Sequence, residues 1–360
     1  MVLEQNKKNL AFDVLRAIAV SLVVLGHFTA TTKELPLVVR KIAFAFASYG
    51  IPLFFIISGF LLSASLMSLL KKYPNRIVRP VVLFFMKRVL RIYPVYVISL
   101  LLLATYYEAQ AEDFWVHFFN IHNFFSAYHR SINGVYWTLA VEFQWYLLAP
   151  CLIVFFMHSQ IRSVWRVLAL CFLISLFIRG AVIYQYLLQT IDLHELVWLA
   201  QDQLYIHLFN FLIGVTLYKF SDMPIRIQRF WASILLLILF IIGYIVSDIS
   251  DNIVNYQGAE IIYKTLLNYI AIILLAVLVA RFLQLKIHFR YERIILFISA
   301  ISYSLYIYHF PVLHYLANFN FSWQLFLLIY LCSSVVIATV SYYVVEKPFL
   351  RYSALLGKIN

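Results

Sequence analysis

Long apolar runs, separated by short clusters of charge, set the pattern of this chain. Ten such runs, at roughly 10–30, 43–66, 89–107, 139–157, 166–188, 204–220, 230–247, 262–282, 294–316 and 324–345, each approach the ~20 residues that a helix needs to cross hydrocarbon. They show neither the two-residue alternation nor the short turn-bounded segments of an outer-membrane barrel, so each is read as a helix that satisfies its own backbone hydrogen bonds. The pattern predicts an all-α polytopic membrane protein with about ten transmembrane helices, forming a single integral membrane domain over residues 1–360. The first run contains Asp13 and Arg16 and lacks a small-residue cleavage site, which makes it a retained helix rather than a signal peptide.

Composition excludes the water-soluble alternative. The 360 residues are 64% hydrophobic and 12% charged, with a mean hydropathy of +0.87, and a soluble domain of that make-up would leave large apolar surfaces uncovered. The net charge of +12 invites a nucleic-acid partner. Its distribution argues otherwise, because Lys and Arg gather in alternate connections: Lys7 and Lys8, the stretch from Lys71 to Arg91, Arg162 with Arg166, Lys219 to Arg229, Arg281 to Arg293, and the tail from Lys347. The opposite connections hold fewer cations (Lys33, Arg40, Lys41, Arg130, Lys264) and more acids (Asp192, Glu195, Asp202, Asp248, Asp251, Glu260). The positive-inside rule then places both termini in the cytoplasm and requires no nucleic acid. Cys151, Cys171 and Cys332 all fall inside spans, so no disulfide framework is expected. His117, His122 and His129 have no spacing that fixes a coordination shell, so no metal site is expected, and neither a Walker loop nor a dinucleotide fingerprint is present.

Ionisable residues inside spans are costly, so their default reading is functional, with helix pinning as the structural alternative. In RAIAVSLVVLGH, Arg16 and His27 are eleven residues apart. Helical geometry brings them within roughly 20° of one face at a separation of about 16 Å. Asp13 can pair with Arg16 across one turn, which by itself would explain both. His27 reads either as a hydrogen-bonding strut or as a group for proton transfer near neutral pH. Counted from the span edges, His27, Glu142 and His309 all reach the outer third, at ~25 Å up, ~7 Å below the outer edge and ~22 Å up respectively. Arg88 and Arg91 share a face at the cytoplasmic mouth of the third run, and serve either as a headgroup anchor or as a clamp for a phosphorylated ligand. Ser58 and Gly59 read first as a close helix contact, with a narrow channel wall as the alternative. Tyr303, Tyr306 and His309 are candidates to line a tunnel or contact a substrate. The aromatic connection FWVHFFNIHNFFSAYHR, from Phe114 to Arg130, reads as an interfacial belt or, through Trp115, as a stacking surface for sugar. A transporter or exporter of a glycan or acylated metabolite is the competing class, disfavoured because no inverted repeat or paired interrupted helices are visible.

Six stretches resemble the acyltransferase-3 family of integral membrane acyltransferases: FDVLRAIAVSLVVLGH, GIPLFFIISGFL, KRVLRIYP, GVYWTLAVEFQWYLL, SYSLYIYHFP and VVEKP. The resemblance implies a ten-helix membrane domain that moves an acyl group, usually acetyl, from cytoplasmic acyl-CoA to a hydroxyl of a cell-surface or lipid-linked glycan such as lipopolysaccharide O-antigen. Acetyl-CoA is then a donor cosubstrate rather than a resident cofactor, and the partners are acyl-CoA, a glycan or glycolipid acceptor and membrane lipids, in a bacterial inner membrane. The arginine-ten-histidine motif falls on Arg16 and His27, the basic pair on Arg88 and Arg91, and the acidic position of the tryptophan motif on Glu142. His27, Glu142, Arg16 and Asp13 are the expected catalytic set. Arg88, Arg91, Arg16 and Ser58 are expected at the donor, and Trp137, Tyr303, His309 and Trp115 at the acceptor. Since the sequence stops at Asn360, a stand-alone form without a fused esterase-like domain is expected. An acyl-His27 intermediate is the alternative to direct transfer.

Overall fold

The computed structural model describes residues 2–224, 228–251, 258–285 and 291–356; the side chains of residues 2–9, 229, 248–251 and 258–264 are not among those described. Of the charge pattern, Lys7, Lys8, Arg229, Asp248, Asp251, Glu260 and Lys264 therefore lie outside the described side chains. The described chain is helical and contains no strand. In order the helices are α1 (Val2–Thr31), α2 (Leu37–Ala47), α3 (Gly50–Lys72), α4 (Val78–Tyr106), α5 (Ala111–Phe118), α6 (Trp137–His158) and α7 (Ile161–Leu187). There follow α8 (Leu193–Ala200), α9 (Leu204–Lys219), α10 (Arg229–Asp251), α11 (Gly258–Leu283), α12 (Glu292–Leu316), α13 (Trp323–Ser341) and α14 (Lys347–Leu356). A short 3₁₀ turn at His122–Phe124 follows α5, and a π-turn at Tyr342–Glu346 joins α13 to α14.

Among the described residues, nine stretches are long and apolar enough to cross a membrane, against the ten expected. The difference is α9, whose 16 residues span about 24 Å. Just before its first residue, the Asp202 carbonyl accepts from Asn123 and the Gln203 side chain donates to the Asn123 carbonyl. Helix limits also differ from hydropathy limits. The second expected span is divided into α2 and α3 at Ser48–Tyr49, and α4 begins at Val78 rather than near residue 89. A charged segment continues a helix readily, because Arg and Lys are good helix formers, so the basic stretch before the third apolar run is helical as well.

The chain forms two compact units. Unit 1 comprises residues 1–60, 159–201 and 205–300. Within it, α1 packs on α2 and α11, α2 on α10, α10 on α11, and α7 on α8 and α11. Helix α1 is enclosed almost all round: Ala11, Phe12, Val14, Leu15, Ala19, Val20, Val23, Val24 and Phe28 are buried, while Ile18 and Leu25 are exposed. Small residues permit the close crossings. A Cβ on Gly59 would lie 2.1 Å from the carbonyl oxygen of Phe211, and one on Gly214 would lie 2.1 Å from that of Ile56, so α3 and α9 meet backbone to backbone. Unit 2 comprises residues 61–158, 202–204 and 301–360. There, α4 packs against α5, α6, α14 and the π-turn, and Trp145, Tyr96, Tyr136 and Phe84 fill its core.

Candidate functional site

In unit 1 the predicted motif rests on one unbroken helix. α1 runs from Val2 to Thr31 without proline, so the eleven-residue step from Arg16 to His27 keeps its expected same-face geometry of about 16 Å. The Arg16 guanidinium lies 3.8 Å from Asp13 Oδ1, and the same oxygen accepts a 2.7 Å hydrogen bond from Ser299 Oγ on α12. Asp13 is thus tied to a second helix and holds Arg16 in turn. Its side chain and that of Arg16 keep about a quarter of their surface accessible, so the pair is neither sealed nor fully solvated. His27 is half-buried one turn from the end of α1, and its carbonyl accepts from Thr31 Oγ1. Ser58 is half-buried beside Gly59 at the α3–α9 crossing, which places it at a helix contact, the favoured sequence reading.

In unit 2 the basic pair and the acid come together. Arg88 and Arg91 stand ten and thirteen residues after Val78, inside α4. Arg88 stacks over Phe84 at 5.4 Å, and its buried Nε has no hydrogen-bond partner among the described residues. Glu142 accepts a hydrogen bond from the Tyr146 hydroxyl one turn later on α6, and both side chains, with Arg91, act electrostatically on the Arg88 guanidinium. Depth counting along the sequence puts Glu142 near the outer edge and the arginines at the inner one, yet Glu142 lies within electrostatic reach of Arg88. Tyr303 completes this side. Its hydroxyl donates to the carbonyl of Ile92 at 2.8 Å, next to Arg91, and its ring lies within electrostatic reach of Glu142 and Glu346.

The acceptor candidates divide. His309 is fully buried, and its Nδ1 donates to the carbonyl of Tyr306 at 2.7 Å, leaving Nε2 as the acceptor in the neutral ring. The Tyr306 hydroxyl is 2.7 Å from Thr138 Oγ1, which ties α12 to the start of α6. Trp115 is half exposed on α5, with neighbours Phe114, Phe118 and Phe119. Trp137 is half-buried beneath the Arg130 guanidinium, 5.8 Å from ring to cation, and its carbonyl accepts from Asn123.

Two groups escape sequence reasoning. Asp202 is almost fully buried, and its Oδ2 accepts from His129 Nε2 at 2.6 Å and Arg130 Nε at 2.7 Å. Glu346, in the π-turn, is also buried and accepts from Ser304 Oγ at 2.9 Å. Asp202 lies more than seventy residues from its partners, so no local spacing announces it. Glu346 stands inside the stretch VVEKP, and a lone acid at the end of an apolar run is the available signal. Among the described residues no cluster of His, Cys, Asp and Glu has the make-up of a metal site.

Long apolar helices, one carrying a half-buried arginine and histidine and others an arginine–glutamate–tyrosine cluster, define an integral, multi-pass membrane protein with polar sites in its helices. The chain belongs to the acyltransferase-3 family, whose sequence model, described as an acyltransferase domain, matches residues 9–346. It is 23% identical, over 94% of its length and 57% of the relative's, to a protein of Staphylococcus aureus (strain COL) named "Putative O-acetyltransferase". It is 26% identical to O-acetyltransferase OatA of Staphylococcus aureus (strain NCTC 8325 / PS 47), over 84% of this chain and 52% of that one. The chain therefore spans about half the length of these relatives. No solved structure matches it.

Proposed function

We propose that the protein is a membrane O-acyltransferase that moves an acetyl group from cytoplasmic acetyl-CoA to a hydroxyl of a cell-surface or lipid-linked glycan in a bacterial inner membrane. The observation that carries this reading is the unbroken α1, which holds a fixed cation at Arg16 and an imidazole at His27 about 16 Å apart on one face. That distance suits an extended phosphopantetheine arm, with Arg16 on its polar portion and His27 at the thioester. The O-acetyltransferase names of the relatives support the same chemistry.

His27 takes the proton of the acceptor hydroxyl as that oxygen attacks the thioester carbonyl. Collapse of the tetrahedral adduct breaks the carbon–sulfur bond, and the imidazolium returns the proton to the departing thiolate, leaving the ester and free CoA. Asp13, fixed by Ser299, positions Arg16. Arg88 and Arg91 supply guanidinium forks for the donor phosphates. Glu142, engaged with Tyr146 and Arg88, positions that pair. Purified protein should consume acetyl-CoA in the presence of glycan, and His27→Ala should lower turnover by about 10²–10⁴-fold while retaining donor binding. Wild-type protein that is folded yet neither binds nor cleaves acetyl-CoA would overturn the reading.

A further inference from the structure

Within unit 2, the connection between α4 and α6 meets the last turns of α12 around a cavity of about 300 Å³. That is the lower end of the ~300–1,000 Å³ range of small-molecule sites, room for one ring rather than a long chain. Its apolar walls include Phe310 and Ile132, and its polar groups include Arg130, Ser131 and His314. Resting on the acyltransferase reading, we propose that this cavity is the acceptor subsite and holds a single pyranose ring of the glycan.

The chemistry of the lining fits a sugar, which offers hydroxyls that both donate and accept around an apolar C–H face. Arg130 is a donor alone. Its Nε and one terminal nitrogen are taken by Asp202, at 2.7 and 2.6 Å, and among the described residues no hydrogen bond occupies the other terminal nitrogen. His314 supplies the complement: its Nδ1 donates to the carbonyl of Phe310 at 3.1 Å, so in the neutral ring the exposed Nε2 is an acceptor. Phe310, 4.2 Å from the His314 ring between centroids, adds an aromatic wall to the same cavity.

The lining is also held rigid before any ligand arrives. Arg130 adopts φ 72°, a left-handed conformation unfavourable for a residue with a side chain, and keeps it through the buried Asp202, itself gripped by His129. Asn133 donates to the carbonyl of Ile307 at 3.2 Å and accepts from the Val135 amide. A Cβ on Gly134 would lie 2.5 Å from the Phe310 ring, so the loop and that ring are in close contact. Such a preformed, hydrogen-bonded loop loses little entropy on binding. Trp115 is not among the cavity's lining residues.

The test uses the full-length protein in membranes of its producing cell and, as probe, that cell's own surface polysaccharide after mild-base removal of O-acetyl groups. A Ser131→Cys variant is labelled with a membrane-impermeant maleimide, with and without polysaccharide. Protection by polysaccharide of at least fivefold, not reproduced by anionic phospholipid vesicles, is expected. In parallel, His314→Ala should raise the KM for polysaccharide at least tenfold with kcat changed less than twofold. Equal labelling with and without polysaccharide, protection by lipid alone, or an unchanged KM in His314→Ala would overturn the subsite. If polysaccharide protects the thiol of the Ser131→Cys variant while the wild-type protein transfers no acetyl group, the acyltransferase reading fails and the sugar site stands.

Discussion

Arg130 and Asp202, seventy-two residues apart, form a two-pronged pair: Nε and a terminal nitrogen of the arginine approach Oδ2 of the acid at 2.7 and 2.6 Å. His129 brings a third donor to the same oxygen, while the carbonyl of Asp202 accepts from Asn123. Asp202 is therefore a hub for this loop, its carboxylate holding His129 and Arg130 and its carbonyl holding Asn123. Removing its charge leaves two cation-capable groups without their counter-charge, and breaking a buried pair costs ~3–5 kcal/mol, nearer the lower end here because Arg130 remains partly accessible. Asp202→Asn should lower the stability of the purified protein by about 3 kcal/mol. Thermal unfolding in detergent checks this, and a midpoint equal to wild type would show that the hub carries no stability.

This hub marks the limit of what the sequence discloses. Hydropathy periodicity reads a helical membrane protein because each span satisfies its own backbone and needs no distant information. It misplaces the start of α4, since a hydropathy window senses where hydrocarbon could begin and not where the helix does; Arg79, Lys87, Arg88 and Arg91 all extend the helix. The Arg16–Asp13 pair is legible because both partners stand within one turn. The contact of Ser299 with Asp13, the arrival of Glu142 beside Arg88, and the convergence of His129 and Arg130 on Asp202 are not, because each joins helices or loops far apart in the chain.

His122 gives the loop a pH dependence. It is fully buried, with its ring stacked on His117 at 4.0 Å, and burial, followed by the neighbouring His117, pushes its pKa well below the ordinary histidine range. The folded protein therefore keeps His122 neutral where the unfolded chain, with a pKa of ~6.5, begins to bind a proton. The unfolded state then carries more protons, so this contribution is complete above pH ~6.5 and declines on acidification by up to ~1.4 kcal/mol per pH unit. Unfolding midpoints measured from pH 7.5 to 5.5 should fall less steeply for His122→Phe, which keeps an aromatic stack but cannot titrate. Parallel slopes for wild type and variant would remove His122 as the cause.

Glu142 presents a second separable effect. It accepts from Tyr146 and shares the electrostatic environment of Arg88 and Arg91. Glu142→Gln keeps the shape and a hydrogen-bond acceptor but releases the guanidiniums from their counter-charge. If the acid positions the donor clamp, the variant should change acetyl-CoA affinity severalfold, Arg88→Ala with Arg91→Ala should weaken it at least tenfold, and neither should reproduce the kcat loss of His27→Ala. Isothermal titration with acetyl-CoA alongside single-turnover rates separates these. A Glu142→Gln variant with unaltered donor affinity and a kcat as low as that of His27→Ala would instead place the acid at the chemical step.

The α3–α9 crossing tests packing apart from chemistry. Gly59 and Gly214 let the two backbones approach so closely that an added Cβ on Gly59 would meet the Phe211 carbonyl oxygen at 2.1 Å and the Gly214 Cα at 3.2 Å. Backbone cannot rotate aside as a long side chain does, so Gly59→Ala must push the helices apart or strain them. Overpacking of this kind typically costs ~1–3 kcal/mol and can exceed that when the obstacle is rigid. The helix propensity of alanine, better than glycine by ~1 kcal/mol, offsets only part of it. Gly180 is the control, because a Cβ there meets nothing within 4 Å. Gly59→Ala should lower the yield of monodisperse protein on size-exclusion chromatography and its unfolding temperature, whereas Gly180→Ala should leave both unchanged or slightly raised. Equal behaviour of the two variants would mean that the crossing can relax, and that the small residues beside Ser58 are not what fixes the distance between these helices.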